Sequence, residues 1–251
     1  MIRLSVNVNK VATLRNSRGG RIPSVVEAVE VCMDAGAPGI TVHPRADRRH
    51  ITPDDVRAIV RVVRERSSKV EYNIEGDPRP ELLALVEEVA PDQCTLVPVV
   101  PGEVTSQAGW QPGPATAALP GVIARLHDRG IRVSLFVDAV PEPVRWAASV
   151  GADRVELYTE PFARAFEHGE DRGRRAFEPF AESARLAHSL GLGVNAGHDL
   201  DLANLVLFRE LPFLDEVSIG HAIMSRALFV GLSTVVREYL EVLAAQSGAT
   251  I

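Results

Sequence analysis

The sequence predicts a TIM (β/α)8 barrel, and three observations lead there. Short β-branched runs alternate with longer stretches of helical period from end to end, the pattern of a parallel sheet with crossover helices. Eight such runs occur in 251 residues, the size of a minimal barrel. The turn after the first run, VNVNKVATLRNSRGG, does not read GxGxxG, which counts against the competing open, doubly wound sheet. Composition shows no break, so residues 1–251 are expected to form a single barrel domain.

The strands are expected at Arg3 (RLSVNVN), Gly39 (GITVH), Lys69 (KVEYNIE), Gln93 (QCTLVP), Arg132 (RVSLFVD), Arg154 (RVELY), Gly193 (GVNAGH) and Glu216 (EVSIGH). The plainest helix is TPDDVRAIVRVVRERS: Thr52 is placed to cap it, Pro53 opens it, Asp55 stands where a capping-box acid belongs, and Val56, Ile59, Val60 and Val63 form its buried stripe. The last helix repeats that spacing with Val236, Tyr239, Leu240 and Leu243. Gly36, Gly130, Gly151 and Gly191 end helices ahead of strands. The longest irregular pieces follow the fourth and sixth strands.

A hydrophobic content of 46% supplies a substantial core. With 27 basic and 33 acidic residues the net charge is −6, so the overall field repels nucleic acid and anionic lipid, and any bound anion needs a local basic cluster. The N-terminus turns polar within a few residues and no run reaches membrane-spanning length, so a cytoplasmic protein is expected. Cys32 and Cys94, each among apolar neighbours, are read as buried free thiols.

In a barrel of this kind the reactive groups gather at the C-terminal ends of the strands. Asn7, Asn9 and Lys10 close the first strand, His43 the second, Asp138 the fifth, His198 the seventh and His221 the eighth, while Glu71 lies in the third and Glu156 in the sixth. His43, His50, His198 and His221 are thus set apart from His127, His168 and His188, which fall on helix or loop surface. Arg45 follows His43 closely enough to aim its donors at a phosphate or carboxylate in the mouth, Arg18 is a second candidate, and Arg48 and Arg49 read as partly structural. The Gly197-His198 and Gly220-His221 pairs end the seventh and eighth strands, where barrels build phosphate sites from backbone amides. These features describe acid/base chemistry on small phosphorylated substrates, with Glu71 as a carboxylate base. Two other readings stand beside it: a metal-dependent lyase or isomerase using His43, Glu71, Glu156 and His198 as ligands, and a non-catalytic sugar-phosphate binder.

The stretches LSVNVNKVATLRNSRGG, GITVHPRADRRHIT, EYNIEGDP, LVP with EVTSQAGW, RVELYTEPFA, GVNAGHDL and EVSIGHAI together resemble the pyridoxine 5'-phosphate synthase family of vitamin B6 biosynthesis, from the first strand to the last helix. The resemblance implies a homo-octameric TIM barrel. It would join 1-deoxy-D-xylulose 5-phosphate to 3-amino-2-oxopropyl phosphate, giving pyridoxine 5'-phosphate, inorganic phosphate and water, with no metal or organic cofactor. By the same resemblance His43 and Glu71 are proton acceptors, His198 is the proton donor and Glu156 stabilises the transition state. Asn7 and Arg18 would hold the aminoketone phosphate, with Gly220 and His221. Arg45, His50 and Thr105 would hold the deoxyxylulose phosphate, and the loop carrying Thr105 would close over the site. The chain departs from the commonest family form at Asn9 and Lys10, where aspartate and histidine are usual, and at Asp199, where glycine more often stands; substrate contacts are expected at these positions too. Val99 and Val100 also stand where an acidic residue is usual.

Overall fold

In a computed structural model, which describes residues 1–67, 69–99 and 107–245, eight parallel strands close into a barrel in the order of the sequence. The strands are β1 (Arg3–Asn7), β2 (Gly39–Val42), β3 (Glu71–Gly76), β4 (Gln93–Leu96), β5 (Arg132–Val137), β6 (Arg154–Tyr158), β7 (Gly193–Gly197) and β8 (Leu214–Ile219). Helices α1 (Asn9–Asn16) and α2 (Val25–Asp34) follow β1, then α3 (Pro53–Arg66), α4 (Pro80–Val89), α5 (Leu119–His127) and α6 (Pro141–Ser149) follow β2 to β5 in turn. β6 is followed by α7 (Glu160–Glu167) and α8 (Glu170–Ser189), β7 by the short α9 (Leu205–Phe208), and β8 by α10 (His221–Val230) and α11 (Leu232–Ala244). No helix among the described residues is long and apolar enough to cross a membrane.

All the expected strands form, and the local signals hold. Thr52 and Asp55 make the reciprocal capping box of α3, whose buried stripe is Val56, Ile59, Val60 and Val63. Gly36, Gly130, Gly151 and Gly191 each take a positive φ beyond a helix end. In α11 the buried face is Val235, Val236, Tyr239 and Leu243, and Leu240 is only partly covered. Cys32 and Cys94 are buried free thiols.

The strands alternate strictly, and the alternation runs opposite to the usual barrel, whose lumen is packed with branched apolar side chains. Leu4, Val6, Ile40, Val42, Ile74, Leu96, Val133, Leu135, Val155, Leu157, Val194 and Val217 face the helices and form the core there. The lumen is polar. Its hydrogen bonds run from Ser5 to Thr41 (2.7 Å), Asn73 to Thr41 (3.3 Å), Thr95 to Asn73 (3.1 Å) and Arg154 to Asn195 (2.8 Å), which pairs many of the buried groups, though Ser134 Oγ and Glu156 Oε2 have no hydrogen-bond partner among the described residues. Strand register sets the height of each. Arg3, Glu71 and Arg132 share the floor; Ser5, Asn73, Ser134 and Asn195 lie above them; then come Thr41, Thr95, Glu156 and Ser218; and Asn7, Glu75, Phe136 and Gly197 form the layer below the rim.

Candidate active site

At the C-terminal end of the barrel a cavity of about 470 Å3 is lined from β1, β2, β3, β6, β7, β8 and the loops after them. Its β2 side is a basic wall of His43, Arg45, Arg49 and His50, with Lys10 of α1 beside it. α1 holds this loop in place: Arg15 makes a two-pronged ion pair with Asp55 of α3 (2.5 and 2.9 Å), and Asn16 Nδ2 donates to the His50 carbonyl (2.9 Å). Arg79 braces it from behind, donating to the Pro44 carbonyl (2.5 Å) and pairing with Asp77.

His43 is buried, and that burial, with the positive charges of Arg45 and Arg79 and its neighbour His50, lowers its pKa to about 3. Burial and the Arg45 charge likewise bring His50 down to about 4. Both imidazoles are therefore neutral at pH 7. His43 Nε2 and His50 Nδ1 are buried with no hydrogen-bond partner among the described residues, which leaves capacity for a substrate. Asn9 fixes the end of β2 by accepting from the His43 backbone N–H (2.9 Å), and Asn7 Oδ1 in turn accepts from the Asn9 N–H (3.1 Å). An amide oxygen accepts such bonds as a carboxylate would, so the departure at Asn9 leaves this support intact.

Across the cavity stand Glu156 of β6 and His198 beyond β7. Glu156 is buried, and burial, then the charges of Glu75 and Glu216, raise its pKa well above the carboxylate range. Gly197 leaves room for it: a Cβ there would come within 2.5 Å of Glu156 Oε1 and displace that carboxyl. His198 and Asp199 both take positive φ, 88° and 59°, and the Thr159 hydroxyl tethers that turn by donating to the Gly197 carbonyl (2.8 Å) and to the His198 carbonyl. The Tyr158 ring meets the His198 ring edge-on at 5.1 Å. His198 Nδ1 lies 2.8 Å from Asp199 Oδ2; the hydrogen bond to His198 holds the Asp199 carboxyl below its ordinary value, and an ionised carboxylate can only accept, so Nδ1 carries the proton and Nε2 is turned to other partners. At β8, Ser218, Gly220, His221 and Ala222 complete the wall, with Gly220 preceding the first turn of α10. A side chain at Gly220 would press on the Asn7 carbonyl at 2.9 Å, so β1 and the α10 turn approach as closely as glycine permits.

The family described as "Pyridoxal phosphate biosynthesis protein PdxJ" matches residues 4–245. The chain belongs to the PdxJ family. Curated relatives named pyridoxine 5'-phosphate synthase include one from Leptospira biflexa, 49% identical with 97% of each chain covered, and one from Christiangramia forsetii, 50% identical over 97% of this chain and all of the relative. One from Porphyromonas gingivalis is 48% identical, again over 97% of this chain and 100% of the relative. Among solved structures the likeness is in fold alone. Phosphoribosylanthranilate isomerase from Thermotoga maritima superposes with a TM-score of 0.60 at 13% identity, covering 97% of this chain and 98% of that one. A 4-hydroxy-2-oxoglutarate aldolase gives 0.59 at 16%, covering 96% and 94%.

In this PdxJ family member Asn7, Asn9, Lys10, His43, Arg45, His50, Glu156, His198, Asp199, Gly220 and His221 all line one cavity. Two expected residues, Glu71 and Arg18, do not. Glu71 is at the barrel floor, paired with Arg132 and with Arg3 (3.4 Å), with the layers of Asn73 and Glu156 between it and the cavity. The carboxylate that β3 offers to the cavity is Glu75, because the same strand face climbs from Glu71 through Asn73 to Glu75. The metal-ligand set of His43, Glu71, Glu156 and His198 fails for the same reason. Arg18 is exposed beyond α1 and does not line the cavity. Thr105 lies outside the described residues. The loop that carries it rejoins the barrel at Gly109 and Trp110, where Trp110 Nε1 donates to the Leu96 carbonyl (2.8 Å) and Gly109 N–H to Asp138 (3.0 Å). Thr13, Ser218, Phe136 and Glu75 are lining residues that the sequence reading missed. The signal for those on strands was there in the period-two alternation: every second residue of SVN, YNIE, SLF and EVSI faces the lumen.

Proposed function

We propose that this cavity is where pyridoxine 5'-phosphate is made, by joining 1-deoxy-D-xylulose 5-phosphate to 3-amino-2-oxopropyl phosphate with release of inorganic phosphate and water. The observation that carries the proposal is the meeting, in one cavity, of two separate anion-binding features with two imidazoles and a buried carboxyl, Glu156. One is the Arg45, Arg49 and His50 wall, which suits the deoxyxylulose phosphate; the other is the Gly220–His221 turn at the start of α10, which with Asn7 suits the aminoketone phosphate. Two phosphorylated substrates need two such seats, and a protein of net charge −6 needs them to be local.

His43 is a proton acceptor in this reading. Burial and nearby cations keep it neutral; a phosphate dianion seated on Arg45 and His50 offsets those cations and raises its proton affinity as the substrate arrives. His198 is the donor, with its Nδ1 proton held by Asp199 and its Nε2 giving a proton to a leaving oxygen. Glu156, held neutral, donates a hydrogen bond to negative charge developing on the substrate. Lys10 and Asn9 contact the substrates from the β1 side. In this reading the enzyme works in the cytoplasm, with its charged metabolites, as a homo-octamer; an exposed apolar run on α10, Leu228, Phe229 and Val230, supports self-association.

The test is product formation by purified, chelator-treated protein. Both substrates together should give inorganic phosphate and pyridoxine 5'-phosphate, neither alone should, and His198→Asn should lower the rate at least about 100-fold. Turnover lost on chelation and restored by a divalent metal would refute the metal-free mechanism, and tight binding of both substrates without product would leave only a sugar-phosphate binder.

A further inference from the structure

The lumen is polar, and one patch near its mouth is not. Of the side chains in the four lumen layers, Phe136 alone is apolar among the described residues. Val97 and Tyr158 stand one alternation above Thr95 and Glu156, and with Phe136 they form a buried apolar cluster separate from the main core. Val97 and Phe136 line the cavity. The backbone fixes the patch. The Val97 N–H donates to the Gly76 carbonyl (2.9 Å), while Trp110 ties the ends of β4 and β5 together, donating from its backbone N–H to the Phe136 carbonyl (2.8 Å) and from Nε1 to the Leu96 carbonyl (2.8 Å). Tyr158 braces the patch from β6, its ring centroid 5.4 Å from that of Phe136.

The barrel sets this patch opposite one of the two phosphate seats. Each layer of a closed eight-stranded barrel takes four members from alternate strands, so strands four apart face each other across the lumen. Asn7 of β1 and Phe136 of β5 therefore stand opposite in one layer. One layer higher, Gly220 beyond β8 stands opposite Val97 beyond β4. Asn7 and Gly220 belong to the seat that suits the aminoketone phosphate. The other apolar lining residues among those described, Leu200, Ile219 and Ala222, come from the β7 and β8 side, beside that seat.

We propose that Val97 and Phe136 seat the methyl group that the deoxyxylulose phosphate brings and the product keeps, and that they select the 1-deoxy sugar over one with a hydroxyl at that carbon. The proposal rests on the reading of the cavity as a pyridoxine 5'-phosphate synthase site. The shape of the product fits the geometry. Its pyridine ring carries the phosphomethyl arm on C5 and the methyl on C2, para to each other. With the arm seated at Asn7 and Gly220, the methyl points across the lumen at β4 and β5. Every other carbon of the two substrates bears oxygen or nitrogen, so the methyl is the one group that gains from hydrocarbon contact, by about fourfold in affinity for a buried methyl. A hydroxyl in its place would lose its water to side chains that offer no hydrogen bond, a discrimination of about 10- to 100-fold.

Two comparisons test the methyl seat. With 3-amino-2-oxopropyl phosphate as the second substrate, wild type should use 1-deoxy-D-xylulose 5-phosphate about 10- to 100-fold better than D-xylulose 5-phosphate in kcat/KM. Val97→Thr, which keeps the branched shape and adds a hydroxyl, should lower that ratio at least about fivefold and leave KM for the aminoketone phosphate within about twofold of wild type. The second comparison needs no variant: by calorimetry, pyridoxine 5'-phosphate should bind wild type about fourfold tighter than its analogue lacking the 2-methyl group. Should Val97→Thr fail to fold, judged by its melting transition, the two wild-type measurements decide alone. Equal use of the two sugars, a ratio unmoved in folded Val97→Thr, or equal binding of product and analogue would each overturn the methyl seat and leave the synthase reading standing. No pyridoxine 5'-phosphate from wild type and its two expected substrates would overturn both.

Discussion

Glu75 is surrounded by a hydroxyl, an amide and two other acids, Glu156 and Glu216, and among the described residues it forms no ion pair. That arrangement suits proton transfer and opposes folding at high pH. The folded-state pKa, about 7, exceeds the ordinary 4.5, so between those values the native protein holds a proton that the unfolded chain has released. Stability contributed by this group is present below pH 4.5 and lost as pH rises through 7. Full burial would make the loss about 3 kcal/mol, and the opening to the cavity reduces it to about 2. Glu75→Gln should therefore melt roughly 4–8 °C above wild type at pH 8, with the gain shrinking toward pH 5. An equal shift at both pH values would mean that the carboxylate is not strained. His43 and His50 act in the opposite sense: their folded pKa values of about 3 and 4 lie below 6.5, so stability falls as pH drops below 6.5.

At the level of elements, Asp55 does more than cap α3. It accepts from the Thr52 backbone and hydroxyl and from both prongs of Arg15, so one side chain joins α1 to the loop that carries Arg45 and His50. Asp55→Ala removes the cap and leaves a largely covered guanidinium without its partner, a loss of about 2–3 kcal/mol. The expected result is a lower denaturant midpoint together with a several-fold higher KM for the deoxyxylulose phosphate and little change in kcat; an unchanged KM would detach the loop from α1. The cap was legible because its spacing is local, and the strands were legible because β-branched runs and terminal glycines are local as well. The Arg15 pairing was not, since nothing in the sequence says which helices stand side by side. Glu71 was misplaced for a related reason. Residue type identifies a carboxylate in β3, but its height is set by the stagger between strands, and four residues along one strand separate the floor from the cavity. The alternation RLSVN, EYNIE and RVELY did mark both glutamates as facing one side, and that side is the lumen.

The whole molecule divides its polarity in an unusual way, with the apolar core between strands and helices and a hydrogen-bonded polar column along the barrel axis. Such a column holds charged groups at graded depth: Arg3 and Arg132 pair with Glu71 at the floor, while burial raises the pKa of Glu216 to about 7 despite the charges of Arg154, Arg3 and Arg132. The outside carries a different asymmetry. On α10 Leu228, Phe229 and Val230 are 73%, 87% and 41% exposed, at the opposite end of the helix from Gly220 and His221, which line the cavity. Three consecutive exposed apolar residues suit an association surface, and in the proposed octamer their place on α10 would couple assembly to the aminoketone phosphate seat. Phe229→Asp should break the assembly, shifting the mass measured by light scattering toward the 27.2 kDa chain, and should raise KM for the aminoketone phosphate as α10 loses support. A wild-type protein that already runs at 27.2 kDa would remove the octamer from the proposal, and a dissociated variant with unchanged KM would confine α10 to assembly alone.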